Sequence, residues 1–238
     1  MRILFFLLAA LGILIAPPGV AATERAVSEA NGLAAVTFAA AGASGESARA
    51  LLAGGQYTMP LSDSWGSRFA LNAGLAFGSG TDAAEAASGS IAAFWRQPDT
   101  GFAEFRAYGS HFSSVDLYGA EITAGRFLDD WDFDLGVRFL ETPDGSAATG
   151  GIGFGRYPNE NLRWHIGVDG GATFHGGATY GGEFGVQWQP PSLSRNLVFG
   201  IEAGGGAVEN EAFYQAGIFA VLYFGESRTL RQKIREDW

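Results

Sequence analysis

Between Trp131 and Phe139 the chain alternates strictly: Trp131, Phe133, Leu135, Val137 and Phe139 share one parity, and Asp132, Asp134, Gly136 and Arg138 the other. The same period of two returns at Arg163–Asp169, where Trp164, Ile166 and Val168 alternate with Arg163, His165, Gly167 and Asp169. It returns again in Glu183-Phe184-Gly185-Val186-Gln187-Trp188. Successive side chains of a strand point to opposite faces, so each segment has one apolar face and one charged or glycine face. Counting such segments between turn residues predicts twelve strands near 32–41, 49–58, 67–78, 88–97, 101–109, 116–126, 131–140, 148–157, 162–173, 178–189, 197–206 and 212–224. The fold class expected is all-β: a closed antiparallel transmembrane β-barrel of about 12 strands, within a range of about 8–12, with lipid outside and a polar lumen inside.

The connections sort by position. After even strands come Pro60-Leu61-Ser62-Asp63, Gln97-Pro98-Asp99-Thr100, Leu128-Asp129-Asp130, Pro158-Asn159-Glu160-Asn161 and Gln189-Pro190-Pro191-Ser192, rich in residues that favour turns. After odd strands the segments lack that proline signature and vary more, from a longer Ser79 to Ala87 through Ser110 to Val115 and Thr142 to Ala147 to a brief His175-Gly176-Gly177. A soluble antiparallel sandwich also alternates, but its watered face would carry Thr, Lys and Glu rather than this many glycines. Aromatics near strand ends, including Tyr57, Trp65, Trp95, Tyr108, Tyr118, Trp131, Tyr157, Trp164, Trp188 and Tyr223, are expected to form interfacial girdles.

Met1-Arg2, the apolar run Ile3 to Ala16, the break at Pro17-Pro18-Gly19 and the small residues Val20-Ala21-Ala22 read as a signal peptide cut before Thr23. The domains expected are 1–22 as signal peptide, 23–225 as barrel and 226–238 as a charged periplasmic tail. No apolar stretch beyond residue 22 is long enough for a spanning helix, so a membrane is crossed by strands or not at all. The 36 glycines sit beside aromatics within alternating runs, which argues against low complexity. A net charge of −10 leaves no basic face for nucleic acid. The chain has no cysteine, so an exported form relies on hydrogen bonding and packing, which closure supplies.

Inward parity collects Arg68, Glu104, Arg106, Glu121, Arg138, Arg163, His165, Asp169, Glu183 and Glu202 as lumen-lining candidates, with Asp132, Asp134 and Gln187 beside them. Both signs on neighbouring strands predict interior ion pairs, and His165 is expected to bond an inward carboxylate. About twelve strands at about 4.8 Å spacing give a backbone radius near ~12 Å, hence a narrow aqueous passage or one braced shut by ion pairs. Excess acid would favour cations. No metal site is expected, because His111, His165 and His175 never pair at ligand spacing. Gly151-x-Gly153-x-Gly155 lies within a strand and reads as barrel wall, so no cofactor is expected. The acidic turn Asp129-Asp130 is a loose calcium candidate whose default is a solvated turn.

With the signal segment, the alternating strands and the last strand Phe213 to Phe224, the mature chain resembles the small bacterial outer-membrane β-barrel (porin-like) proteins. The resemblance implies a Gram-negative outer membrane, contact with outer-membrane lipid and lipopolysaccharide, and insertion by the barrel-assembly machinery. It carries no motif for a solute, and a monomer is favoured. Such proteins commonly end on an aromatic at the edge of the last strand. Here Phe224 is the better candidate, because the charged run Ser227 to Asp237 separates it from Trp238.

The function expected is a narrow passive pore for small polar solutes or ions, and catalysis is not the favoured reading. One alternative is a non-conducting structural or interaction barrel. The other rests on His111-Phe112-Ser113 with Glu121, which resembles the His-x-Ser and downstream Glu of outer-membrane lipid A deacylases. There a His would activate the Ser hydroxyl and a carboxylate would hold the imidazole. This chain carries Ser114 where that family has Asn, and the motif lies mid-chain.

Overall fold

The computed structural model describes residues 30–43, 46–78, 83–97, 100–112, 115–143, 145–173, 177–194, 196–209, 211–224 and 228–236. The leader 1–22 and residues Ser113, Ser114 and His175 lie outside the described residues. Twelve strands follow one another: β1 (Asn31–Ala43), β2 (Glu46–Pro60), β3 (Trp65–Gly78), β4 (Ala84–Gln97), β5 (Gly101–Phe112) and β6 (Val115–Leu128). Then come β7 (Trp131–Thr142), β8 (Gly145–Asn159), β9 (Leu162–Thr173), β10 (Ala178–Trp188), β11 (Leu197–Val208), β12 (Glu211–Phe224) and a short helix, α1 (Leu230–Glu236). Each strand pairs antiparallel with its sequence neighbours, and β1 pairs with β12 to close the ring. Carried once around, the register returns to its starting strand displaced by about 14 residues. For twelve strands that stagger sets a tilt of about 41° and a backbone radius of about 11 Å.

The outer face is what the apolar parity predicts. Leu71 is 73 % exposed, and Val36, Phe38, Ile122, Leu135, Ile166, Ile201 and Ile218 are exposed with it. An apolar belt continuous around a barrel has no soluble explanation; it fits hydrocarbon. Trp65, Tyr118, Trp131 and Trp188 stand exposed at strand ends. Trp131 meets Trp164 edge-on at 6.4 Å, and the Arg156 guanidinium lies 5.0 Å from the centre of the Trp131 ring, an arrangement suited to headgroup level. Three of the expected girdle aromatics point inward instead. Tyr108 shares the parity of Arg106, Tyr157 that of Gly155, and Tyr223 that of Val221. Among these Tyr157 is fully buried.

The inner face is divided. On β1 to β4 it is a close layer of small residues, in which Ala39, Ala41, Ala48, Ala50, Leu52, Ala76 and Ala86 form one buried cluster. From β3 round to β11 it carries the charges. The strands run past the ends of the clear alternation, because near the rims both faces meet polar surroundings and the period fades. The segments expected as connections therefore shrink: β5 and β6 are joined across Phe112–Val115, and β7 and β8 across Thr142–Gly145. The longest connection, between Trp188 and Leu197, lies instead at the end that holds Asn31 and Phe224. That end is called the terminal mouth below.

Candidate functional site: the charged lumen and its terminal mouth

Inward residues of β3, β4 and β5 build a cationic wall. Glu104 accepts from Arg106 Nε at 2.9 Å and NH2 at 2.6 Å, and from Arg68 NH1 at 2.8 Å. All three side chains are at least nine-tenths buried. Arg96 lies against the Phe94 and Phe102 rings, 5.0 and 5.6 Å from their centres, and the guanidinium of Arg68 approaches Phe94 from above. One carboxylate thus serves two arginines, with a third cation on the same wall. On β6 and β7, Glu121 accepts from Arg138 at 3.2 Å in a more open setting.

On β7 and β9, Arg163 donates to both Asp132 oxygens, from NH2 at 2.9 Å and Nε at 3.1 Å, a buried bidentate pair. Gly155 makes that pair possible: a Cβ there would collide with Asp132 Oδ1 and stand 2.7 Å from Arg163 NH2. Other inward glycines serve in the same way. Asp134 leans over Gly153, Glu183 over Gly167, and the His165 ring over Gly185. Inner-wall glycines are therefore seats for large side chains of the next strand, charged ones here and aromatic ones elsewhere, as at Gly66 under Phe94 and Gly125 under Phe102.

Four inward carboxylates, Asp134, Asp169, Glu183 and Glu202, have no hydrogen bond or ion pair among the described residues. Asp169 and Glu183 are exposed although their parity is inward, so they face open space within the ring. His165 does not bond a carboxylate as the sequence suggested: its Nδ1 is buried without a partner. The carboxylates near it are turned elsewhere, Asp132 to Arg163 and Glu183 to its glycine seat.

The register fixes what faces what. With consecutive strands in ring order, β5 lies opposite β11 and β4 opposite β10. Followed both ways around, the register puts Glu202 about level with Arg106 on the far wall. The paired arginine wall and the unpaired acidic wall therefore confront each other across the bore.

The terminal mouth is occupied by α1. Thr229 caps it reciprocally: its Oγ1 accepts from Gln232 N at 3.2 Å, and Gln232 Oε1 accepts from Thr229 N at 3.0 Å. Leu230 and Ile234, one turn apart, pack with inward Leu33, Tyr157, Val198, Val221 and Tyr223. Arg231 bridges to Asp130 at 2.9 Å and to Glu160 at 3.2 Å, and Arg231 and Arg235 both donate to the carbonyl of Asp129. Asp129 is a non-glycine residue at φ 45°, in the left-handed region, so its carbonyl is turned to receive them. Lys233 Nζ donates to the Arg228 carbonyl at 2.9 Å and sits 5.4 Å from the Tyr223 ring centre. Burial first, and then the neighbouring Arg231 charge, lowers the pKa of Arg235 from its usual value. The acidic turn considered for calcium is thus the receptor of the helix arginines.

Of the hydrolase candidates, Ser113 lies outside the described residues, and His111 and Glu121 are not brought together. His111 lies on β5 rather than in a loop, on the outer face, with Nδ1 2.7 Å from Asp116 on the neighbouring strand. Glu121 has inward parity and is bonded to Arg138, so the barrel wall separates it from His111. Sequence reasoning missed Arg96, Phe94 and Phe102, although all three carry inward parity. It also missed the seating of α1, for which the pair Leu230 and Ile234 and the box Thr229-Leu230-Arg231-Gln232 were the available signals.

The sequence matches no protein-family model and no curated protein. Its structure is similar to an outer-membrane channel from Pseudomonas putida F1, with a TM-score of 0.67, 11 % identity, and coverage of 88 % of this chain and 100 % of that one. It is also similar to the NanC porin (TM-score 0.55, 10 % identity, 81 % of this chain and 100 % of that one). The KdgM porin is a further likeness (TM-score 0.53, 11 % identity, 80 % and 99 %). At such identity the likeness is one of fold: the chain is a closed twelve-stranded antiparallel barrel built like those of these outer-membrane proteins.

Proposed function

We propose that this protein is an integral barrel of the bacterial outer membrane that acts as a narrow passive pore for small polar solutes or ions, with a preference for cations. The observation that carries the reading is the set of four inward, unpaired carboxylates, Asp134, Asp169, Glu183 and Glu202. Uncompensated charge on an inner wall needs water beside it, and a water-filled bore lined by acid draws cations. The apolar outer belt fixes the membrane, and the fold shared with outer-membrane channels and porins supports the compartment. In this orientation the terminal mouth faces the periplasm. The arginine wall, held together by Glu104, braces the ring and narrows the bore.

The test is single-channel recording in a planar bilayer under a potassium chloride gradient. Discrete steps with a cation-selective reversal potential are expected. Glu183→Gln with Glu202→Gln should move that potential toward zero while the unheated gel mobility stays that of the folded barrel. A folded barrel silent at every voltage both as the full chain and when ended at Gly225, or a selectivity indifferent to both substitutions, refutes the reading.

A further inference from the structure

The barrel is complete without its last helix. β12 ends at Phe224, which already stands opposite Gly32 of β1, so the closing seam uses nothing beyond that residue. Yet the chain turns back and places α1 in the mouth, where Leu230 and Ile234 are almost wholly buried and Lys233 and Arg235 nearly so. The inner wall at this end suits the visitor. Leu33, Val198 and Val221 are apolar inward residues that an empty, watered mouth would leave wet. A helix with its side chains is about 10–12 Å across, and a ring of about 11 Å backbone radius, once lined, leaves a bore of about that width. Seated, α1 fills the passage.

The attachment is of a kind that can let go. Its ion pairs, from Arg231 to Asp130 and Glu160, sit at the rim, where both carboxylates are more than half exposed and open to screening by salt. The Arg235 contacts with the Asp129 and Trp131 carbonyls and the Gln189 amide on the Arg228 carbonyl lie deeper. A helix of seven residues is too short to persist alone in water, so undocking and unfolding are one event. The helix also carries its cations, Arg231, Lys233 and Arg235, into the path of any cation moving toward the acidic lumen.

We infer that α1 is a displaceable plug, an autoinhibitory contact that closes the terminal mouth by bulk and by charge, and that the pore conducts when it leaves. The inference rests on the pore reading above. Because the chain has no cysteine, it can be tested in the full-length protein. Asp130→Cys with Arg231→Cys removes the Arg231 ties to Asp130, Glu160 and the Asp129 carbonyl and sets two thiols there, which a reducible bis-methanethiosulfonate linker can join across the same gap. The linked protein should be nearly silent. On reduction its time-averaged conductance should rise about tenfold, since the plug fills most of the bore. The reversal potential should move further toward cations as the helix charges withdraw. A second variant ending at Gly225 should conduct at that higher level with or without the linker.

Equal current in the linked and reduced forms overturns the plug and leaves the pore reading standing. So does a truncated chain that conducts no more than the full-length protein. Silence in the linked, reduced and truncated forms, each folded by gel mobility, removes the pore and the plug with it.

Discussion

Glu104→Gln tests the arginine wall most severely. Glu104 receives three hydrogen bonds from two guanidinium groups, at 2.6, 2.8 and 2.9 Å, and the Glu104, Arg68 and Arg106 side chains are 8, 5 and 10 % exposed. Water therefore screens the cluster little. Glutamine keeps the volume and one acceptor oxygen but removes the charge that pairs with both Arg68 and Arg106. Taking one partner from a buried ion pair costs about 3–5 kcal/mol. With two cations stranded and Arg96 nearby, the upper half of that range, about 4–5 kcal/mol, is expected. Replacing the whole cluster is a different perturbation. Glu104→Gln combined with Arg68→Met and Arg106→Met strands no charge, and buried ionic groups exchanged for apolar ones of similar volume are often neutral. The triple variant should therefore recover most of the loss. The assay is urea unfolding of the barrel in lipid vesicles, followed by tryptophan fluorescence and compared at unchanged slope. A loss below about 1 kcal/mol for the single variant would mean that lumen water solvates the arginines. A triple variant no better than the single would refute the pairing argument.

Two pairs of substitutions separate the faces of the wall. Leu71→Arg, on the lipid side midway along β3, should cost about 2–4 kcal/mol, whereas Asn72→Ala, its inward neighbour, should cost far less; the same unfolding assay decides. Gly155→Val should break the Asp132–Arg163 pair by displacing the Asp132 carboxylate, at a cost of about 3 kcal/mol, while Gly150→Ala, whose new methyl would meet nothing nearer than 3.7 Å, should be tolerated. Equal losses at inward Gly155 and at outward Gly150 would show that Gly155 is not a seat for the pair.

The strands were legible because a face in lipid and a face in water impose opposite chemistry on neighbouring residues. Trp131 to Phe139 states that plainly, and all twelve strands are where their alternation places them. The same parity assigned the lumen charges, and applied without exception it would have turned Tyr108, Tyr157 and Tyr223 inward. Their aromatic identity competed with their position, and position decided. Strand ends were illegible because the period dissolves where both faces are polar, which hid His111 in an apparent loop. Pairings were beyond reach for a different reason. Which cation Glu104 takes depends on stagger between strands, and parity says nothing of stagger. The tail was misleading in composition: Arg231, Lys233 and Arg235 advertise solvent, while Leu230 and Ile234, only two residues, direct the helix inward.

The seam between β1 and β12 runs from Gly32 opposite Phe224 to Ala43 opposite Phe213. Every other neighbour pair is a hairpin joined by a few residues, but this one encloses almost the entire chain. Loop-closure entropy places it last, after eleven local pairings. Until then the sheet presents two long open edges, and an open edge is a template for a neighbouring chain in water and an unsatisfied backbone in hydrocarbon. No stable intermediate is therefore available to a partly assembled ring on either side of the membrane surface. Closure and insertion are thus coupled, because an open ring satisfies its edges neither in water nor in hydrocarbon.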